Sequence, residues 1–137
     1  MKSITPSDIR PPFARYAHGI EIPANHRLIQ TSGQLGITAD DHIPDEPYDQ
    51  AMICFDNIAK LLAAGGMSIE DIAHVTAYVT DRAHMAGYMA ARDQVFQNKA
   101  VLPSSTLLIV TGFTKPEFKV LYFVLCAVAI GYAQKLH

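Results

Sequence analysis

The segment Pro103–Thr106, Pro-Ser-Ser-Thr, places three hydroxyl groups in a row directly before the apolar run 107–110. Hydroxyl groups at the entrance of a strand could act as a nucleophile, hold a ligand, or satisfy backbone groups where the strand begins. No arrangement of His and Asp around them marks a catalytic triad, and triads assemble in space rather than in sequence. The residues alone therefore leave a role in ligand binding and a purely structural role open.

Three histidines could act as bases or ligands: His18 in the first predicted strand, His74 in a later one and His84 in a predicted helix. A lone histidine is more often a hydrogen-bonded structural residue than a catalytic base. No pair of histidines has the spacing of metal ligands, so we expect no metal site and no other cofactor.

The composition limits the class of protein. Apolar residues make up 50% of the 137 residues and charged residues 18%, with a net charge of −2 and no two Lys or Arg residues adjacent. Nucleic acids and membranes are therefore not expected as partners. Cys54 and Cys126 are too few for a disulfide framework, so we expect buried free thiols in a reducing compartment. Segment 1–12 lacks the apolar stretch of a secretion signal, which favours a cytoplasmic protein, and its prolines predict an irregular arm.

The apolar run 120–133 is the stretch most similar to a membrane segment. It is shorter than the roughly 18 to 20 apolar residues that a spanning helix needs. It is rich in valine, isoleucine and aromatic residues, which favour strands. We interpret it as a long strand that is buried on both faces.

The spacing of apolar residues predicts the elements that position these groups. Strands are predicted at 16–22 and 27–33. The spacing then becomes helical from Tyr48, and the helix is expected to stop at Gly65 and Gly66. Its apolar positions are Ala51, Met52, Phe55, Ile58, Leu61 and Leu62.

The second half of the chain continues the alternation of helices and strands. Residues 68–71 resemble a capping box before a strand at 73–80. A helix is predicted at 81–98 with Asp81 as its N-cap, followed by a strand at 105–112. With the last apolar strand, the order is β-β-α-β-α-β-β, which predicts one α+β domain.

Two helices cannot cover both faces of a sheet whose last strand is apolar on both sides. A monomer would then expose more apolar surface than soluble chains usually tolerate. Symmetric self-association is the simplest way to cover that face.

Four segments and the closing apolar strand follow, in order, the pattern of a known family. The segments are YAHGIEI, IQTSGQLG, CFDNIAKLLAAGGMSIEDIAHVTAYVTD and LPSSTLLIV. The sequence resembles the Rid/YjgF family of RidA-like reactive intermediate deaminases over nearly its whole length. The resemblance implies a single RidA-like domain at 1–137, with a mixed sheet and two helices on one face. It also implies a chorismate mutase-like trimeric barrel with three clefts at the subunit interfaces.

The resemblance also implies a chemistry from which this sequence departs. Members of the best-studied branch hydrolyse 2-imino acids and their enamine tautomers to 2-oxo acids and ammonia. An Arg in their Pro-Ala-Arg-Ser segment anchors the substrate carboxylate, and a Glu near the start of the last strand holds or activates water. The matching positions here are Ser105 and Leu121. Arg92, on the second predicted helix, could replace the cation, although such an arginine usually lies on a solvated face.

The resemblance assigns eight residues to a ligand cleft and leaves the catalytic residues unknown. They are Tyr16, Ser32, Gly33, Gln34, Ser104, Ser105, Thr106 and Leu121. The Tyr16 hydroxyl would reach the cleft rim, or the ring would pack on the sheet. Gly33 would let the backbone approach a ligand because it lacks a Cβ, or would only end a strand tightly.

Two classes of function stay open. The first is an enzyme that hydrolyses or tautomerises an imine, an enamine or a related small molecule that lacks the usual carboxylate, and does not act on ordinary 2-imino acids. The second is a noncatalytic homotrimer that binds a small ligand or a protein partner. The older family description as a ribonuclease has little support from the charge pattern.

Overall fold

The computed structural model describes residues 1–130. Its strands are β1 (Lys2–Ile4), β2 (Gly19–Glu21), β3 (His26–Gln30), β4 (Gln34–Leu35), β5 (Ile72–Val79), β6 (Ser104–Ile109) and β7 (Val120–Ala129). Its helices are α1 (Pro47–Ala64) and α2 (Met85–Val95), with short 3-10 turns at Ile69–Asp71 and Arg82–His84. Without the short strands β1 and β4, the order of the elements is the predicted β-β-α-β-α-β-β, which is therefore confirmed.

The main sheet is mixed. Its strand order is β3, β7, β5, β6, and β4 also pairs with β7. Strand β7 is antiparallel to β3, β4 and β5, whereas β5 and β6 are parallel. A parallel pair needs a crossover connection, and α2 lies in the connection between β5 and β6.

Both helices cover the same face of this sheet. Tyr122 of β7 lies at the centre of the contact, with its ring centroid 4.5 Å from that of Phe55 on α1. The ring of Tyr88 on α2 is 5.5 Å from Tyr122 on the same side. The Tyr122 hydroxyl donates a hydrogen bond to the backbone oxygen of Ala51. The predicted arrangement of two helices on one face of a mixed sheet is therefore confirmed.

The opposite face of the sheet is apolar and only partly covered. Leu121, Phe123 and Leu125 alternate with the buried residues of β7 and are each half-buried. The rings of Tyr78 and Phe123 lie 6.4 Å apart on this face, and Leu28 on β3 is largely exposed there. We call this surface the open face. Its apolar character agrees with the pattern predicted for the last strand, and self-association remains a prediction.

The C-terminal end of α1 combines a predicted and an unpredicted feature. Gly66 has a φ of 75°, a left-handed conformation that favours glycine, so the predicted stop at this position is confirmed. The guanidinium of Arg27, on β3, donates hydrogen bonds to the backbone oxygens of Gly65 at 2.7 Å and Gly66 at 3.1 Å. A cation at a helix C-terminus is favourable, so Arg27 ties β3 to α1.

Ser68 forms the predicted capping box, whereas Asp81 caps a 3-10 turn and not α2, which begins at Met85 with His84 as its N-cap. The Ser68 hydroxyl accepts a hydrogen bond from the Glu70 amide at 3.3 Å, and the Ser68 amide donates to the Asp71 carboxylate at 2.8 Å. The Asp81 carboxylate accepts a hydrogen bond from the Ala83 amide at 2.8 Å. Asp81 therefore starts a 3-10 turn that leads into α2.

The N-terminal third differs from the prediction in three details. The expected irregular arm begins with a strand, since β1 pairs antiparallel with β2. The strand predicted at 27–33 ends at Gln30, because Thr31 uses its hydroxyl as well as its backbone to bond Val124. The strand predicted at 16–22 is regular only over 19–21. The last residues of the run 120–133 lie outside the described residues.

Candidate functional site

A cleft of about 310 Å³ lies between α2, β6 and the segment 13–16. We call it the Arg92 cleft. It is lined by Phe13, Ala14, Tyr16, Met85, Met89, Arg92, Ser105 and Leu107. Its volume is at the lower end of the range for small-molecule sites, about 300 to 1,000 Å³. Three residues singled out from the sequence, Tyr16, Arg92 and Ser105, meet here.

The register of β6 determines which of the three hydroxyl groups can reach this cleft. Successive side chains of a strand point to opposite faces. Ser105 pairs with Val75, a buried residue that faces the helices, whereas Ser104 pairs with His74 and Thr106 with Thr76 on the open face. Of the three hydroxyl residues, only Ser105 therefore lines the Arg92 cleft.

Ser104 is engaged in a small polar cluster on the open face. Its hydroxyl donates a hydrogen bond to the Ala73 backbone oxygen at 3.3 Å and lies 2.7 Å from Nδ1 of His74. Nε2 of His74 lies 3.1 Å from the Thr76 hydroxyl. Burial lowers the pKa of His74, which favours the neutral ring. Ser104 thus makes structural bonds at the strand entrance, and Thr106 is exposed next to this cluster.

Arg92 is buried, with 3% of its surface exposed, so the expectation of a solvated helix face is wrong for it. Its Nε and Nη2 atoms donate to one oxygen of Asp93 at 3.3 and 3.2 Å. The Asp93 side chain is 43% exposed. Among the described residues, this oxygen is the hydrogen-bonding partner that the structure gives to the guanidinium. A planar guanidinium can bind both oxygens of a carboxylate, so Arg92 retains capacity for a ligand.

Tyr88 is buried one helical turn before Arg92 and does not line the cleft. Residues four apart share a helix face, and the Arg92 guanidinium lies 6.0 Å from the centre of the Tyr88 ring. The Tyr88 hydroxyl is buried and makes no hydrogen bond of good geometry with the described residues, although the Ser105 hydroxyl lies close enough to lower its pKa. Burial raises the pKa of Tyr88 to about 12, although the nearby charge of Arg92 and the hydroxyl of Ser105 act in the opposite direction. The hydroxyl is therefore a neutral donor close to Ser105.

The segment 13–16 forms the remaining wall of the cleft. The Tyr16 hydroxyl accepts a hydrogen bond from the Phe13 amide at 3.3 Å, which closes a short turn. The next residue, Ala17, donates its amide to the backbone oxygen of Pro103 at 2.9 Å and so anchors this turn to the start of β6. The guanidinium of Arg10 stacks 3.7 Å from the centre of the Phe13 ring.

The other predicted cleft residues lie elsewhere in the single chain. Ser32 and Gly33 line a shallow pocket of about 410 Å³ beside Phe123, whereas Gln34 faces a separate pocket beside α1. A Cβ on Gly33 would lie 2.7 Å from a methyl carbon of Leu121, so these two residues are in direct contact. We call Ser32, Gly33 and Leu121 the Gly33 group. This group and the Arg92 cleft share no lining residue within residues 1–130.

The remaining nucleophiles and bases are held in structural contacts. His18 lies 2.6 Å from the Arg10 backbone oxygen, and His84 lies 3.2 Å from the Thr80 hydroxyl. Burial raises the pKa of both Cys54 and Cys126 to about 12, which suppresses the reactive thiolate. Within residues 1–130, no three metal-ligating side chains form a group that could hold a metal ion.

The apolar walls of the cleft were not assigned to a site from sequence. Met85, Tyr88 and Met89 recur at helical spacing, which places them on one side of α2. The same spacing indicates that Arg92 lies on this side of the helix, because Arg92 is four residues after Tyr88 and three after Met89. Phe13 carried no such signal, since its position depends on the turn closed by Tyr16.

Solved structures share this fold. The Rid family protein YyfB from Yersinia pestis superposes with a TM-score of 0.81 at 19% identity, covering 93% of this chain and 98% of that one. Escherichia coli TdcF with bound serine superposes with a TM-score of 0.70 at 24% identity, covering 94% and 100%. The fold is thus that of the RidA-like proteins, a mixed sheet with two helices on one face.

Sequence comparison leads to the same family. TdcF from Escherichia coli K12, named for reactive intermediate deaminase activity, is 26% identical over 102 residues, which are 73% of this chain and 77% of TdcF. The family described as Endoribonuclease L-PSP matches residues 8–120, which is most of the chain. The chain belongs to this family, which is the Rid/YjgF family, and the resemblance inferred from sequence is confirmed.

No helix within residues 1–130 has both the length and the apolar character needed to cross a membrane.

Proposed function

We propose that this chain is a Rid/YjgF protein that binds a small carboxylate in the Arg92 cleft. The observation that carries the proposal is a buried guanidinium that lines the same cleft as Ser105, the residue at the position of the family's anchoring Arg. A cation therefore lies near its usual place, although it comes from α2 rather than from β6. This replaces the expectation that a ligand of this cleft lacks a carboxylate.

The contacts around Arg92 support a ligand that carries a negative charge. A buried cation needs an anionic or hydrogen-bonding partner, and Asp93 offers it one oxygen at the edge of solvent. A ligand carboxylate could accept hydrogen bonds from Arg92 and from Ser105, which both line the cleft. The structural neighbour TdcF was solved with bound serine, a small molecule with a carboxylate.

We further propose that the complete site forms in a homotrimer. The Arg92 cleft and the Gly33 group share no cavity within one chain, whereas the family arrangement implies clefts between subunits. The open face, with half-buried Phe123 and Leu125 and the largely exposed Leu28, is the surface that assembly would cover. Sedimentation of a monodisperse sample tests this step, and a stable monomer at micromolar concentration would overturn it.

Rapid hydrolysis of ordinary 2-imino acids is not part of the proposed function. That reaction needs a group that orients or activates water. Leu121 occupies the position of the family's Glu, and none of the residues that line the Arg92 cleft carries a carboxylate. We expect 2-iminobutyrate and 2-iminopropionate to be bound but hydrolysed slowly. The alternative is a protein that binds these acids without hydrolysing them. Coupled assays on freshly generated imino acids distinguish this alternative from a slow enzyme.

Calorimetric titration with 2-oxobutanoate tests the carboxylate site. Charge-assisted hydrogen bonds contribute about 1.5 to 3 kcal/mol, so Arg92→Gln should weaken binding by about 10- to 100-fold. Arg92→Lys should retain part of the affinity, because it keeps the charge but loses the planar fork. Arg82→Gln, in the exposed turn before α2, is the matched control and should leave the affinity unchanged.

The outcome that overturns the proposal is an Arg92→Gln variant that keeps its thermal melt and binds 2-oxobutanoate as tightly as the wild type. If Arg92→Gln fails to fold, the affinity of the Arg92→Lys variant for 2-oxobutanoate tests the proposal instead. An affinity in this variant equal to that of the wild type would then contradict the role of the fork.

A further inference from the structure

Along α2 and β6, the Arg92 cleft is polar at Arg92 and Ser105 and apolar at the other lining residues of these two elements. Arg92, Ser105 and Tyr16 supply the polar groups. The other walls are apolar and consist of Phe13, Ala14, Met85, Met89 and Leu107. A site with this division holds a ligand that has a charged head and an apolar body.

The geometry of α2 and β6 sets the length of the apolar part. Met89 and Met85 precede Arg92 by three and seven residues, so at 1.5 Å per residue they lie about 4.5 and 10 Å along the helix axis. Leu107 lies two residues after Ser105, about 7 Å along β6. A ligand whose side chain is a single methyl group would contact the polar end and leave most of this wall uncovered.

The apolar wall ends in an exposed aromatic side chain. Phe13 is 80% exposed even though its backbone is fixed by the turn to Tyr16. The Arg10 guanidinium covers part of its ring. Met85 and Met89, which line the same cleft, have flexible side chains that adapt to different shapes. The mouth of the cleft therefore offers apolar surface that a larger ligand would remove from water.

We infer that the ligand is a small carboxylate with a branched or aromatic side chain of at least four carbons, held with its carboxylate at Arg92 and its side chain between Met85, Met89 and Leu107. The inference rests on the proposed carboxylate site and adds the class of ligand to it. It selects 2-oxo or 2-imino acids of the size of those derived from leucine or phenylalanine over those with two- or three-carbon skeletons.

A graded series of stable 2-oxo acids tests the inference by calorimetry on the full chain. The probes are pyruvate, 2-oxobutanoate, 4-methyl-2-oxopentanoate and phenylpyruvate. Each buried methylene is worth roughly a fourfold change in affinity, so 4-methyl-2-oxopentanoate should bind at least about tenfold more tightly than pyruvate. An affinity that is equal across the series, or that falls with side-chain size, would overturn the inference.

Two variants separate this inference from the proposed carboxylate site. Met89→Gln keeps the length of the side chain but makes it polar, and should reduce the preference for 4-methyl-2-oxopentanoate over pyruvate by about fourfold or more. Leu61→Gln, an apolar-to-amide change on the exposed side of α1, is the matched control and should leave the preference intact. If Met89→Gln does not fold, Phe13→Ser at the exposed rim replaces it, with loss of affinity for phenylpyruvate as the readout.

The combined results distinguish the two possible failures. Binding that depends on Arg92 but not on side-chain size overturns the apolar assignment and leaves the carboxylate site in place. A preference for large side chains that is unaffected by Arg92→Gln supports the apolar wall and overturns the carboxylate site. Absence of binding for all four acids overturns both.

Discussion

Ser104 and Ser105 are adjacent and chemically identical, yet the two faces of β6 give them different surroundings. Ser104 lies on the open face and is bonded to Ala73 and His74. Ser105 lies on the helix face, next to a buried cation and a buried hydroxyl that makes no hydrogen bond of good geometry with the described residues. A hydroxyl with satisfied bonds stabilises the fold, whereas polar groups that lack partners in the free protein can bind a ligand.

The largest expected effect comes from restoring the missing water-activating group. Because Arg92 supplies a cation, Leu121→Glu alone should raise the hydrolysis rate of 2-iminobutyrate by about 10²-fold, without an added arginine at Ser105. Leu125→Glu, on the same face of β7, is the matched control and should give no increase. Rates are compared only for preparations that sediment as trimers.

Failure of Leu121→Glu to raise the rate, together with a gain in the double variant Ser105→Arg with Leu121→Glu, would show that Arg92 does not replace the family anchor. If the new glutamate prevents assembly, Leu121→Gln provides a neutral group that can still hold water.

The difference between the two serines leads to opposite effects of the same substitution. Ser104→Ala removes the hydrogen bonds that the Ser104 hydroxyl makes with the Ala73 oxygen and with Nδ1 of His74, so it should lower the free energy of unfolding by about 1 to 3 kcal/mol. Ser105→Ala should change stability by less than about 0.5 kcal/mol and weaken 2-oxo acid binding by about two- to tenfold. Urea unfolding and calorimetry measure the two quantities, and equal effects of both variants on both quantities would refute the distinction.

The general fold could be predicted because it depends on local periodicity. The helical spacing before Gly65 predicts a helix and the apolar run of β7 predicts a strand, and both elements are present. The pairing of β1 with β2 could not be predicted, since it depends on how residues 5–18 reverse the chain. The contact of Arg27 with the end of α1 likewise joins residues almost forty positions apart.

The site was predictable only where it coincides with a motif. Ser105 was found because it occupies a position in the family pattern. The burial of Arg92 was missed because most arginines lie at the surface, even though the spacing from Tyr88 to Arg92 places both on one helix face. Which hydroxyl of β6 faces the helices depends on the pairing register with β5, which no local pattern reveals.

Substitution of Tyr88 should have a smaller effect on the free energy of unfolding, and this effect should be stabilising. The Tyr88 hydroxyl is buried and makes no hydrogen bond of good geometry with the described residues, so Tyr88→Phe should raise the free energy of unfolding of the ligand-free protein by about 1 kcal/mol. Tyr122→Phe is the matched control and should be destabilising, since the Tyr122 hydroxyl donates to Ala51. Destabilisation by Tyr88→Phe would indicate that the hydroxyl has a partner in the assembled protein.

The smallest expected effect is the pH dependence that comes from the Ser104 side of the comparison. Burial lowers the pKa of His74 below its ordinary value of 6.5, so the folded chain prefers the neutral ring that lies between Ser104 and Thr76. The unfolded chain then binds more protons between the two pKa values, and stability must fall as the pH decreases from 6.5 toward the lower value. Urea unfolding from pH 7.5 to 5 should show this loss in the wild type and a smaller slope in His74→Gln, with His42→Gln, an exposed loop change, retaining the wild-type slope. A His74→Gln variant with an unchanged slope would mean that another group controls this pH range, and that the cluster around Ser104 stabilises the fold independently of the charge on the ring.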